Sequence, residues 1–319
     1  MRSQYYKQLQ WWLNTTDSNT IKDDQFVVAK NITYWADRTI QASRGFESFW
    51  PTTPNWKQIN GYYYNEKQVS GYNCLVVAGD VMYTFDWTTY TSIKTWLTEW
   101  WQRDFAQYND IVYMCDWINN YASRDGTTYT EYWTQPKCKY IEMIWDRLYG
   151  AGETQNPNTL YYSEPVPTNG NVIDSNSVLI WWDDFWVINI IAWLWSILLV
   201  VKTGKVFAVD VVNQSAQPID AQSGWYANRT FAQVNNGLVY MSARGIDTLK
   251  QRTGAVGANA LESESMTQDL LSYVSQIKET TFNSACGHYS PFTQKYYWSF
   301  DTNGDGTNDT TLVYHALTG

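Results

Sequence analysis

One local form recurs along most of this chain: a short apolar or aromatic run, a turn built on Gly, Asp or Asn, and a second such run. "CLVVAGDVMYTFD" (Cys74 to Asp86) turns at Gly79-Asp80, and "SILLVVKTGKVFAVD" (Ser196 to Asp210) turns at Thr203-Gly204. "TFAQVNNGLVYMSARGIDTL" (Thr230 to Leu249) turns at Asn235-Asn236-Gly237. "DIVYMCDWINNYASRDGTTYTEY" (Asp110 to Tyr132) offers Asp125-Gly126, and "DRLYGAGETQNPNTLYYSEP" (Asp146 to Pro165) joins its two runs by a longer connection. The last is "KYYWSF", an acidic loop, then "TLVYH". Gly, Asp and Asn supply the backbone angles that tight hairpins need, and the flanking β-branched and aromatic residues suit pleated surfaces. A hairpin cannot bury its apolar face alone, so such a chain must stack its sheets. Recurrence at spacings of about 30 to 55 residues suits a propeller, whose blades are small antiparallel sheets. A sandwich also has many short strands but does not require this repeated form. The expectation is an all-β chain, a β-propeller of roughly five to seven blades formed as a single domain over 1–319.

One helix is expected near 263–279. In "SESMTQDLLSYVSQIKE", Met266, Leu270, Tyr273, Val274 and Ile277 fall on one face at helical spacing, and Glu262 and Glu264 suit a helix N-terminus. The longest apolar run, Val187 to Val201, is interrupted by Asn189 and Ser196 and is shorter than the ~20 residues that span a bilayer. It reads as a buried strand pair, so no membrane anchor is expected. The opening "MRSQYYKQLQWW" lacks the apolar core of a secretory signal.

The formal net charge of -9 opposes binding to phosphate backbones, and no run of Lys or Arg forms a basic patch. Cys74, Cys115, Cys138 and Cys286 lie far apart with no C-x-x-C spacing, and read as buried free thiols. With two histidines, His288 and His315, a His-rich metal centre is excluded. No P-loop, dinucleotide-binding glycine pattern or zinc spacing is present.

"DTNGDGTND" (Asp301 to Asp309) is the one stretch with metal-ligand spacing. Oxygen donors at alternate positions, Asp301, Asn303, Asp305, Thr307 through its carbonyl and Asp309, can wrap a hard cation such as Ca2+. Gly306 sits where the bend needs a residue without Cβ. No Glu follows at Leu312 and the flanks read as strands, so this is not an EF-hand. The other reading is a polar hairpin tip, since Asp, Asn and Gly form turns with or without metal. Three carboxylates so close together repel one another, which favours a structural calcium ion.

Asp183-Asp184 and Glu164 raise the alternative of a carbohydrate-binding or glycoside-cleaving propeller. Neighbouring strand residues point to opposite faces, however, and solvated turn carboxylates are the better reading. Trp96 to Trp101, "WLTEWW", is either an interface or packing between blades. The Asn-x-Ser/Thr triplets carry no weight in so Asn- and Thr-rich a chain.

The order of segments resembles tailed-phage virion propeller proteins of the tail-nozzle, tail-hub and head-completion stabilisation type. Asp23-Asp24, then Asn31 to Tyr34, then Arg44-Gly45-Phe46 are similar to their opening. "DRLYGAG…NPNTLYYSEP", "WWDDFWVINIIAWLWSILLVVKTGKVFAV", "NNGLVYMSARGIDTL" and "DTTLVYHALTG" resemble four later segments, in the same order. Two features depart: relatives continue beyond the position of Gly319, implying a short or C-terminally truncated member, and "VINIIAWLW" is more apolar than usual there. The resemblance implies a non-enzymatic structural protein located in the virion and made in the host cytoplasm. It implies a homo-oligomeric ring at the tail or head-tail junction, contacting other tail or portal-adaptor proteins, with DNA only as passing cargo.

Overall fold

A computed structural model describes residues 32–34, 40–42, 54–57, 59–64, 74–99, 103–108, 111–118, 120–123, 129–131, 135–165, 176–180, 187–194, 197–202, 205–219, 227–234, 237–242, 245–251, 261–266, 284–290, 293–305 and 308–315. The chain divides into two compact units, Phe49–Ile219 and Met1–Ser48 with Asp220–Gly319.

The Phe49–Ile219 unit holds four consecutive sheets. The first is β3 (Ile59–Tyr64), β4 (Cys74–Ala78), β5 (Val81–Phe85) and β6 (Tyr90–Lys94); the second is β7 (Asp104–Tyr108), β8 (Ile111–Cys115), β9 (Asn120–Ser123) and β10 (Tyr129–Glu131). The third is β11 (Tyr140–Ile144), β12 (Arg147–Ala151), β13 (Thr159–Tyr162) and β14 (Asn176–Leu179); the fourth is β15 (Ile188–Leu194), β16 (Ile197–Lys202), β17 (Lys205–Asp210) and β18 (Ser215–Pro218). In each, strands pair antiparallel in chain order. The other unit holds a two-stranded ribbon of β1 (Ile32–Tyr34) and β2 (Ile40–Ala42), and a four-stranded meander of β19 (Ala232–Val234), β20 (Gly237–Ser242), β21 (Gly245–Gln251) and β22 (Leu261–Ser265). It also holds three strands, β23 (Cys286–Ser290), β24 (Lys295–Phe300) and β25 (Thr310–His315). The architecture is all-β and of the β-propeller class, with five four-stranded blades among the described residues.

Inner blade strands carry near-continuous apolar sequence because both their faces are covered. β4 is buried at every position, as is β20, and β16 is buried at all but its first residue. Between the third and fourth sheets one cluster joins Ile144, Tyr149, Leu160 and Tyr162 to Ile188, Ile191, Val200 and Phe207. Between the second and third, Tyr113 and Cys115 meet Cys138, Ile141 and Leu148. In the other unit, Val239, Met241 and Ile246 pack on Tyr296, Trp298 and Phe300. Each such apolar side chain contributes about 1.5–3 kcal/mol by leaving water, which makes these seams the main stabilising element of each unit.

The apolar run from Val187 is a strand pair, as expected: β15 and β16 join antiparallel with Leu194 opposite Ile197. No helix among the described residues is long and apolar enough to cross a membrane. The proposed helix over 263–279 is corrected at its start, because Ser263 to Ser265 belong to β22 and pair with β21; residues 267–279 lie outside the described residues. Glu264 therefore caps no helix. It forms an ion pair with Lys250 across the sheet. The cysteines are free thiols, with Cys74, Cys115 and Cys138 buried as expected but Cys286 exposed at the edge of its sheet.

Candidate metal centre and neighbouring polar sites

The acidic stretch is the connection between β24 and β25. Asp301 ends the strand with its side chain fully buried, and its Oδ1 accepts the backbone N–H groups of Asn303 and Gly304 at 3.0 and 2.6 Å. Gly304 has φ +87°, a left-handed conformation that a side chain would strain. The Asn303 side-chain oxygen accepts the Asp305 N–H at 2.8 Å, and its amide donates to Asp305 Oδ2 at 3.2 Å. Asp309 accepts the Thr302 N–H at 3.0 Å and the Thr302 hydroxyl at 2.9 Å. The Thr302 backbone bond is the main cause holding the Asp309 carboxyl below its usual range. Thr307 and Gly306 lie outside the described residues. Among the described residues, no three acidic, His or Cys side chains converge as a metal site.

Three other turns repeat the Asp301 arrangement. Asp86 accepts the N–H groups of Thr88 and Thr89 at 2.9 and 2.7 Å, and Asp210 those of Val212 and Asn213 at 2.9 and 3.1 Å. Asp116 accepts the N–H of Ile118 at 3.0 Å. Each aspartate closes its own turn by the same local bonding. None of these turns carries further acidic residues, so the Asp301 carboxylate has turn-closing work that needs no cation. What distinguishes the last loop is the added set Asn303, Asp305 and Asp309, whose hard oxygens are the donor type that Ca2+ takes.

Polar groups elsewhere bind sheets together. Arg103 and Asp116 form a fully buried pair, Nε to Oδ2 3.8 Å, and the Arg103 guanidinium also donates to the Thr98 carbonyl. Asp104 on β7 accepts the Ile141 N–H of β11. Beside Ile141, Glu142 is partly accessible by area, yet protein encloses it on almost every side. That enclosure governs how poorly solvent supports its charge. Burial, and then the negative charge of Asp104, push its carboxyl up to about 8. Lys202 is completely buried, donates to the Ile180 carbonyl at 3.0 Å, and is pushed down by burial. None of these groups was singled out from sequence. A carboxylate inside the apolar run "YIEMI" was the available signal for Glu142, and the recurring strand-terminal Asp was the signal for the turns.

Of the residues behind the glycosidase alternative, Glu164 is exposed, accepts from Asn176 at 2.8 Å and lies 4.0 Å from Arg147. Asp183 and Asp184 lie outside the described residues. Trp96 is 90% exposed, so it is not packed between blades.

No protein-family model matches the chain, and no curated protein matches it. Two solved structures of an extracellular domain from B. thetaiotaomicron are similar. One is assigned to a one component system (10% identity, 79% of this chain and 33% of that chain, TM-score 0.52) and the other to a hybrid two component system (11% identity, 84% and 34%, TM-score 0.53). The chain spans about a third of the length of those two chains. The Neurospora crassa Pan2 WD40 domain gives 10% identity over 76% of this chain and 72% of that one, at TM-score 0.49. At such identities the likeness concerns the fold alone.

Proposed function

We propose that the chain is a structural virion protein of a tailed bacteriophage, forming a ring at the tail or head-tail junction around the DNA exit channel, with no catalytic role. The observation that carries this reading is the order of five segments along the chain. Four of them fall on hydrogen-bonded strands of sheets that follow one another along the chain: β12 with β13, β15 to β17, β20 with β21, and the edge strand β25. In this reading the blades supply shape and subunit contacts, and the net charge of -9 keeps passing DNA from adhering. The Asp301–Asp309 loop holds a structural Ca2+ through Asn303, Asp305 and Asp309, with the Thr307 carbonyl and Asp301 completing the donor set. Negative-stain microscopy of the purified chain tests the reading. Closed rings with a central opening are expected, and isolated single subunits at every concentration would overturn it.

A further inference from the structure

Among the described residues, five sheets have four strands and the last has three, β23 to β25. First strands of neighbouring sheets lie side by side, β7 beside β11 and β11 beside β15. β23 lies beside β19 in the same way, so β23 is the first strand of its sheet and β25 the third. What this sheet lacks among the described residues is a fourth strand, on the outer side of β25. The third strands β5, β13, β17 and β21 each have at least two buried residues. None of Thr310 to Tyr314 in β25 is buried, and Val313 is 45% exposed.

The sequence of β25 also sets it apart from the other outer strands. An edge presents a row of unpaired N–H and C=O groups that invites another strand, and short length, charge or proline discourages it. The fourth strands β6, β10, β14, β18 and β22 have three to five residues. Four of the five also carry a charge or proline: Lys94 in β6, Glu131 in β10, Pro218 in β18, and Glu262 with Glu264 in β22. β25, "TTLVYH", has six residues and no Lys, Arg, Asp, Glu, Pro or Gly. Its Thr310, Thr311, Val313 and Tyr314 favour extended pairing. This is the composition of a covered strand at an edge position.

We infer that β25 is a strand-addition site for the amino-terminal segment of this same chain, residues 1–31, which pairs with it through the run Gln25–Lys30. Three observations name that occupant. Met1–Ser48 belongs to one compact unit with Asp220–Gly319, and so with β25. Residues 1–31 precede β1, whereas a strand that matches β25 takes six. Within them "QFVVAK" has the right length and the strand-favouring residues Phe26, Val27 and Val28. It also ends on Lys30, as β6 ends on Lys94, so its addition gives the last sheet the charged outer strand that its counterparts have. Backbone bonds supply the attraction, and Leu312 and Tyr314, which already pack on the core of this unit, are covered further. The inference goes beyond the ring reading and does not depend on it.

The test is amide-resolved hydrogen exchange of the full chain over a dilution series. Alternate N–H groups of β25 point away from β24. These are expected to be protected about 100-fold or more relative to free peptide, at every protein concentration. The comparison is Val27→Pro/Val28→Pro. Neighbouring N–H groups of a strand point to opposite sides, so one of the two lost donors faces β25 in either register. The variant is expected to lose protection at the outward β25 amides and to keep it in β20 and β24. Outward β25 amides that exchange at free-peptide rates in the wild-type chain overturn the inference, as does protection that is unchanged in the variant. Protection that vanishes on dilution also overturns it and assigns the added strand to a neighbouring copy. Should the proline variant lose its fold, nuclear Overhauser contacts of the wild-type chain decide instead. Backbone contacts between residues 25–30 and 310–315 are expected, and their absence contradicts the inference.

Discussion

Asp104 on β7 accepts the backbone N–H of Ile141 on β11 at 2.9 Å, so a carboxylate joins the first strands of neighbouring sheets. This contact sets the negative charge of Asp104 beside Glu142, the residue after Ile141. Burial and that charge raise the Glu142 carboxyl from 4.5 to about 8. A raised carboxyl favours the folded state when protonated. Its stabilisation is complete below about pH 4.5, declines as pH rises, and is gone above about pH 8. The slope is at most about 1.4 kcal/mol per pH unit in that window. Glu142→Gln should remove this slope, match wild type near the acid end and be the more stable protein at the alkaline end. Thermal midpoints across the window check it, and parallel pH profiles for both proteins would contradict it.

The buried Arg103–Asp116 pair should show strong coupling. Removing either partner strands a charge that water cannot reach, at a cost of about 3–5 kcal/mol. Replacing both, as in Arg103→Met/Asp116→Leu, should cost less than either single change. Denaturant midpoints of the four proteins test this, and simple additivity would contradict it.

Turn closure by aspartate predicts a graded series. Asp301 is buried and Asp210 exposed, although both accept two backbone N–H groups. Asp301→Ala removes a buried acceptor that closes the turn and leaves a small cavity in its place, and should cost about 1–3 kcal/mol, whereas Asp210→Ala, at an exposed turn, should cost about 1 kcal/mol or less. Equal losses in urea unfolding would show that burial does not decide the effect.

Calcium binding by the same loop makes a separable prediction. With Ca2+ at 100 times its dissociation constant, folding gains about 2.7 kcal/mol, and chelation removes that gain. Asp305→Asn should abolish the chelator-sensitive part while leaving the chelated protein as stable as chelated wild type. A midpoint insensitive to chelator in the wild-type chain would leave the loop as a hairpin tip only.

Gly287 faces a crowded site. A Cβ there would lie 2.8 Å from Tyr296 Cζ and 3.0 Å from Thr230 Cα. The Tyr296 hydroxyl is fixed because it donates to the Thr230 carbonyl, and the Thr230 hydroxyl in turn accepts the Met241 N–H at 2.9 Å. Gly287→Ala should therefore cost about 1–3 kcal/mol through overpacking, which calorimetry would register. An unchanged midpoint would mean that this knot yields easily.

The hairpins were legible because covered strands carry uninterrupted apolar sequence and end at unmistakable turn residues. β4 and β5 meet at Gly79-Asp80 and β16 and β17 bracket Thr203-Gly204, as the sequence suggests. Outer strands such as β18, "SAQP", are mostly exposed and have no apolar signature to read. The 263–279 pattern misled at its start because the acidic residues of β22 alternate on a sheet edge, where Glu264 finds Lys250, and the same spacing also suits a helix cap. The turn motif was hidden for a different reason. "DWTT", "DWIN", "DVVN" and "DTNG" share little besides the first aspartate, because the bonds it accepts come from backbone that any residue supplies. Glu142 and Asp104 are brought together only by the packing of one sheet on the next, which local sequence does not encode.

Native mass spectrometry of the purified chain, with and without chelator, tests the central claim most directly. The account predicts one discrete ring of several subunits, with chelation reducing its stability through the Asp301–Asp309 loop. A strict monomer under both conditions, across the whole concentration range, would contradict it.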